Sequence, residues 1–257
     1  MARVEQLRSH LERRDHRDAP TVTVPISRLC TLQDCEKRER TGIIRAVSAD
    51  EEARRPSKGS MKCFTVVEAA KKRRRAIDHP EQQNEDAYAN GYKSEVDLRH
   101  CPAYLDAVFH GAACVSDISA SFYGYELPDE ARQHYRFRDA SGQLWESTRM
   151  MMGHTVAAEL QHILTCIIAG HPDAVQASFA VQCPIACWID NVRYHGPHNL
   201  VARARALLEK RSDECNVSFN IGDVTRRYEF IGIEFDHDEK TVRIAEKTRN
   251  KLPDAIL

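Results

Sequence analysis

Residues 184–196 read PIACWIDNVRYHG, and this stretch decides how the chain is built. ACWI is strand-like, Asp190-Asn191 is turn-like, VRYH is strand-like again, and Gly-Pro ends the run. Together they predict a β-hairpin with Asp190 and Asn191 at its tip. A hairpin tip aimed at the end of a neighbouring strand brings distant carboxylates together. Asp117 is the candidate partner, because it ends the apolar run AACVSD and precedes ISASFYGY. Two carboxylates so placed can hold divalent ions roughly 3.5–4 Å apart, the arrangement used for in-line phosphoryl or nucleotidyl transfer. A single Asp at a strand end is more often a turn former or a cap, so the reading depends on the segments around the pair.

Outward from the hairpin, the element order becomes legible. Towards the C-terminus, LVARARALLEK is an amphipathic helix, and YEFIGIEF and TVRIAEK, separated by DHDE, form a further hairpin. On the N-terminal side, Gly153 breaks the pattern and Thr155 caps a helix running to about Ala169. Its core stripe is Val156, Leu160, Ile163, Leu164, Ile167 and Ile168. Before it, YRFRD and LWESTRM flank an ASGQ turn, and Pro128 with acidic neighbours opens a short helix. Pro102 to Phe109 forms a helical turn ahead of the Asp117 strand. FTVVEAAKKRRRAID reads as strand, basic turn, strand. Residues 1–15 suggest a short helix with Val4, Leu7 and Leu11 on one face, and TVTVPI a strand. Residues 48–60, SADEEARRPSKGS, read as a linker, and residues 79–98 as loop. Helices mixed with dominant hairpins predict an α+β fold, an antiparallel sheet backed by helices.

Composition sets the outer limits. At 257 residues the chain can bury a real core, and its apolar and charged fractions are those of a soluble globular protein. The longest apolar candidate, ILTCIIAG, is too short to span a membrane, and the Arg-rich N-terminus lacks a secretory core. The 9 cysteines follow no zinc spacing and read as reduced thiols of an intracellular protein, nuclear or cytoplasmic. The formal charge of −1 is low for a nucleic-acid enzyme, but the basic run Lys71, Lys72, Arg73, Arg74 and Arg75 concentrates positive charge locally. The histidines, among them His154, His162, His195 and His198, build no site by spacing and read as structural or surface groups.

Taken in order, the segments from Phe64 to Lys251 resemble the reverse transcriptase family. KKRRRAID is similar to the fingers strand, with Arg74 and Asp78 at the matching positions. VDLRHCPAYLDAVFHGAACVSDISASFYGYEL resembles the first palm motif with its upstream helix, and HYRFRDASGQLWESTRMMMG the hairpin leading to the family's glycine, here Gly153. CWIDNVRYHG resembles the aromatic-x-Asp-Asp hairpin and YEFIGIEF the primer-grip strand. Each piece is weak alone, and their order and spacing carry the resemblance. It is closest in flavour to retrotransposon enzymes of the tyrosine-recombinase (DIRS-like) type. Asn191 stands where the family has a second Asp, and Met150-Met151-Met152 replaces a Pro-containing approach to Gly153.

The resemblance implies a polymerase palm with partial fingers and an absent or truncated thumb. Residues 1–60 would be an N-terminal extension and linker, 61–110 a fingers-like segment and 111–257 the palm with its primer-grip hairpin. It implies RNA-directed DNA polymerisation on an RNA template and DNA primer with dNTPs. Asp117, the Ile118 carbonyl and Asp190 would ligate two Mg²⁺ ions, with Mn²⁺ as a substitute and Asn191 beside them. Arg74 and Lys72 would contact the triphosphate, Phe122 or Tyr123 would gate the sugar, and Gly153 would admit the templating base pair. Phe230, Ile231 and Gly232 would sit at the primer terminus. The alternative expectation is a catalytically degenerate, palm-like nucleic-acid-binding module.

Overall fold

The computed structural model describes residues 2–12, 28–68, 72–96, 98 and 101–250. The strand expected at TVTVPI and the side chain of Lys71 lie outside these residues. The chain forms two compact units, each assembled from two separate stretches: Met1–Ser94 with Phe122–Leu160, and Glu95–Ser121 with Gln161–Leu257. The chain thus leaves the first unit and re-enters it, so neither 60 nor 110 is a boundary between them.

The first stretch carries helices α1 (Ala2–Glu12) and α2 (Leu32–Arg40), strand β1 (Ile44–Ala46) and helix α3 (Ala49–Arg54). Strands β2 (Lys62–Glu68) and β3 (Arg73–His79) follow, then α4 (Glu81–Ala89). Strand β4 (Ala112–Ile118) belongs to the second unit. The chain returns to the first unit for α5 (Asp129–Arg132), β5 (Arg136–Arg138) and β6 (Leu144–Ser147). Helix α6 (Ala157–Ala169) leads back to the second, which adds β7 (Ile185–Trp188), β8 (Asn191–Gly196) and α7 (His198–Glu214). Strands β9 (Phe219–Ile221), β10 (Arg227–Phe230), β11 (Ile233–Asp236) and β12 (Thr241–Ile244), with α8 (Glu246–Arg249), complete it.

In the first unit β2 and β3 pair antiparallel from Lys62↔His79 to Glu68↔Arg73, the hairpin expected around the basic run. A second sheet has the order β1-β6-β5. At its centre Glu146 is fully buried, and its carboxylate is paired with Arg45 (2.6 Å) and Arg136 (2.8 Å), which donate to it. Two polar stretches expected to be loops are helical. Ser48 caps α3 by accepting the Glu51 amide (3.1 Å), and Asp50, Glu51 and Glu52 suit the positive end of the helix. In α4, buried Gln83 donates to the His134 carbonyl at 2.6 Å, so this helix is held by tertiary contacts rather than by an apolar stripe.

The second unit is built on a four-stranded sheet of order β7-β8-β4-β9, antiparallel throughout. Strand alternation sends Cys114, Val192 and Tyr194 to one face, where they pack with Cys166 and Ile168 of α6 and Val201, Ala204 and Leu208 of α7. Val115 and Arg193 turn to the other face, against the Cys101–Phe109 3-10 helix and the β10-β11-β12 meander. Arg193 is buried there with its guanidinium over Phe230 (4.8 Å), Phe235 (5.0 Å) and Tyr104 (5.7 Å). Aromatic faces thus supply much of the compensation for this buried cation.

YEFIGIEF is not one strand. Its Ile231 and Gly232 both have positive φ (47° and 79°) and form the turn between β10 and β11, the pattern of a tight primed hairpin turn. Strand β9, on the far edge of the β4 ladder, had no counterpart in the sequence reading. His195 lies within β8, on the strand-like VRYH stretch.

Candidate active site

The β4–β8 and β4–β9 ladders place three polar side chains in one row across the sheet. Asp117 is the register partner of Asn191 on one side and of Asn220 on the other. Cross-strand partners share a face, so these side chains lie side by side. Asn220 Nδ2 donates to Asp117 Oδ2 at 3.1 Å. Asp190 is fastened to the same end of β4, because the Ile118 amide donates to its carbonyl at 3.1 Å. Its carboxylate accepts from Asn191 Nδ2 (2.8 Å, Oδ1) and Ser121 Oγ (3.3 Å, Oδ2). Asp117 is exposed, and Asp190 and Asn191 are half-buried. The structure therefore brings Asp117, Ile118, Asp190 and Asn191 to one sheet end. Ser121 and Asn220 join them, and neither was singled out from sequence.

The turn differs from the expected one by a residue. Asn191 pairs with Trp188 and belongs to β8, leaving Ile189 and Asp190 as the turn. Ile189 has φ 55°, a left-handed conformation that costs a side-chain-bearing residue about 1–2 kcal/mol. Backbone strain of this kind persists where surroundings hold it in place. Here the Ile189 amide donates to His162 Nδ1 on α6 at 3.3 Å.

The residues assigned to nucleotide and sugar belong to the first unit. Arg74 projects from β3, exposed, and its Nη2 meets Asp34 (3.2 Å) and Thr65 Oγ1 (2.7 Å). Lys72 is an exposed turn residue with φ 47°. Phe122 is buried in a short 3-10 turn (Ser121–Gly124). Tyr123 beside it is half-buried, which raises its hydroxyl pKa. Gly153 has an intramolecular reason for lacking a side chain: a Cβ there would lie 2.2 Å from the Asp78 carbonyl oxygen. Thr155 does not cap α6; its hydroxyl donates to Tyr88 (2.6 Å), and α6 begins at Ala157. In the second unit, Phe230 is buried in the Arg193 cage, while Ile231 and Gly232 form the turn beyond it.

The donor set at the sheet end is made only of oxygens: two carboxylates, an amide and main-chain carbonyls. Such a set suits a hard cation. Among the described residues no three His, Cys, Asp or Glu side chains cluster to hold a metal by themselves.

This is the architecture of a reverse-transcriptase-like fold, and solved structures agree. The chain is similar to the foamy viral protease–reverse transcriptase in complex with double-stranded DNA, at TM-score 0.66 and 11% identity over 85% of this chain and 35% of that one. The native prototype foamy virus protease–reverse transcriptase matches at TM-score 0.63 and 12% identity, over 86% and 28%. The chain thus spans about a third of the length of these neighbours, and at such identity the likeness establishes the fold. No protein-family model and no curated sequence matches the chain. No helix of the described residues is long and apolar enough to cross a membrane.

Proposed function

We propose that the chain is the polymerase domain of a retrotransposon reverse transcriptase, joining dNTPs to a DNA primer on an RNA template. The observation that carries this reading is the convergence of Asp117 and Asp190 at one end of the β4–β8 ladder in a reverse-transcriptase-like fold.

Asp117, Asp190 and the Ile118 carbonyl would hold two Mg²⁺ ions, or Mn²⁺ in their place. When bound, such ions acidify the primer 3′-hydroxyl and neutralise charge on the leaving pyrophosphate. The chain's own contribution is preorganisation. Asn220 fixes one oxygen of Asp117, Asn191 and Ser121 fix both oxygens of Asp190, and the Ile118–Asp190 hydrogen bond sets their spacing. Carboxylates held in this way need little reorganisation when substrate arrives.

The test is extension of an oligo(dT) primer on poly(rA) with Mg²⁺ or Mn²⁺. The wild type is expected to incorporate dTTP, and Asp190→Ala and Asp117→Asn to lose about a hundredfold or more, ~2.7 kcal/mol of transition-state stabilisation. A second reading, a palm-like module that binds nucleic acid without catalysis, is favoured by the amide of Asn191 in place of a further carboxylate. Folded wild type that extends no primer under either metal, yet binds RNA–DNA hybrid in a salt-sensitive manner, would establish that reading instead.

A further inference from the structure

His162 lies on α6, away from the row of polar side chains on the sheet, yet it contacts the turn that carries Asp190. Its Nδ1 accepts the amide of Ile189, the residue held at φ 55°. A neutral imidazole accepting at Nδ1 carries its proton on Nε2. Nε2 faces Cys166 Sγ at 3.5 Å, one helical turn along α6. Cys166 is buried, and its thiol is held well below the usual range, foremost by the hydrogen bond from Cys187 and then by His162. Cys187 stands on β7, the strand that enters the same turn. The imidazole is therefore fixed on one side by a buried sulfur acceptor and presents a lone pair on the other.

We propose that His162 is the positioning residue of the catalytic turn: its Nδ1 holds the strained Ile189 amide and thereby sets where Asp190 stands. The inference rests on the polymerase reading of Asp117 and Asp190, and it adds a residue that touches neither substrate nor either carboxylate. Ile189 has no glycine-like freedom, so its left-handed backbone needs an external partner. Asp190 is the next residue, and a displacement on the order of 1 Å at a reacting group can cost about a hundredfold in rate.

Three replacements separate positioning from bulk. In His162→Asn the side-chain oxygen reaches the place of Nδ1 and can accept the Ile189 amide. In His162→Gln the amide group reaches the place of Nε2, towards Cys166. In His162→Leu the shape is roughly kept without an acceptor.

Amide hydrogen exchange at Ile189 is the activity-independent readout, and steady-state primer extension is the second. Wild type and His162→Asn are expected to keep Ile189 protected, while Leu and Gln speed its exchange by about tenfold or more. The same two variants are expected to lower kcat about tenfold or more with KM for dNTP nearly unchanged, and Asn to recover most of the loss. If His162→Leu does not fold, the Asn–Gln contrast carries the same decision. Protection at Ile189 that is equal in all variants would overturn the proposal, as would Gln matching Asn in kcat. If wild type extends no primer, the polymerase reading fails on its own account, and Ile189 exchange still decides whether His162 holds the turn.

Discussion

The amide of Ile118 donates to the main-chain carbonyl of Asp190 at 3.1 Å, so the turn carrying one carboxylate is stitched to the strand carrying the other. This backbone link makes the spacing of Asp117 and Asp190 a property of the sheet rather than of two mobile side chains. Side-chain hydrogen bonds from Asn220, Asn191 and Ser121 then aim the oxygens.

The Asn191 amide, 2.8 Å from Asp190, spares the site a third negative charge. Asn191→Asp puts like charges in contact at this place, which disfavours the ionised pair until a cation arrives. The variant is expected to melt several degrees lower in chelator and to regain that loss with Mg²⁺. Its Mg²⁺ affinity should rise on the order of tenfold, since ligand charge count tunes hard-cation binding. Calorimetric titration and melting with and without Mg²⁺ check both; an unchanged affinity would remove residue 191 from the cation site.

Gly153 stands against main chain that cannot yield cheaply. A Cβ there falls 2.2 Å from the Asp78 carbonyl oxygen, and Asp78 is tied by its carboxylate to buried Arg38 at 2.5 Å. Gly153→Ala is expected to cost about 2–3 kcal/mol or more through overpacking. Urea unfolding followed by a probe in the first unit measures it, and a loss below about 0.5 kcal/mol, the usual surface range, would mean that the backbone relaxes freely.

Acid should destabilise the second unit. His195 is held neutral, its pKa pushed down to about 3, mainly by burial and then by Arg193, His110 and His237 around it. Burial likewise lowers His237. In the unfolded chain each histidine takes up a proton near its ordinary value of 6.5, so the unfolded state binds more protons between about pH 3 and 6.5. The stability that His195 contributes is complete above that window and falls as pH drops through it, by up to about 1.4 kcal/mol per pH unit. His195→Gln should flatten that slope in unfolding measurements from pH 7 to 4, and a slope equal to wild type would assign the acid sensitivity to other groups.

Much of the fold was legible because its signals are local. Apolar spacing marked α6 and α7, and alternation around turn residues marked the β2–β3 and β7–β8 hairpins. At α4, where the reading failed, the deciding contact came from elsewhere in the chain. α4 has no apolar stripe, and its buried Gln83 finds a partner at His134, far along the sequence. α3 did carry a readable start, Ser48 with Glu51 three residues on, but the polar composition around it pointed to a linker.

By itself the sequence singled out the candidate residues: two aspartates at strand ends, one followed by an asparagine, in an order that resembles a known family. Tertiary structure alone decided how they meet. Asp-Asn is the locally favoured turn, yet β8 is a central strand whose ladder with β4 runs on to Asn191, and that pairing draws Asn191 out of the turn. The left-handed place falls to Ile189, which no local preference would choose, and His162 from another helix holds it there. Ser121, Asn220 and His162 could not be read from spacing, because hydrogen bonds between distant segments exist only once the sheet register is set.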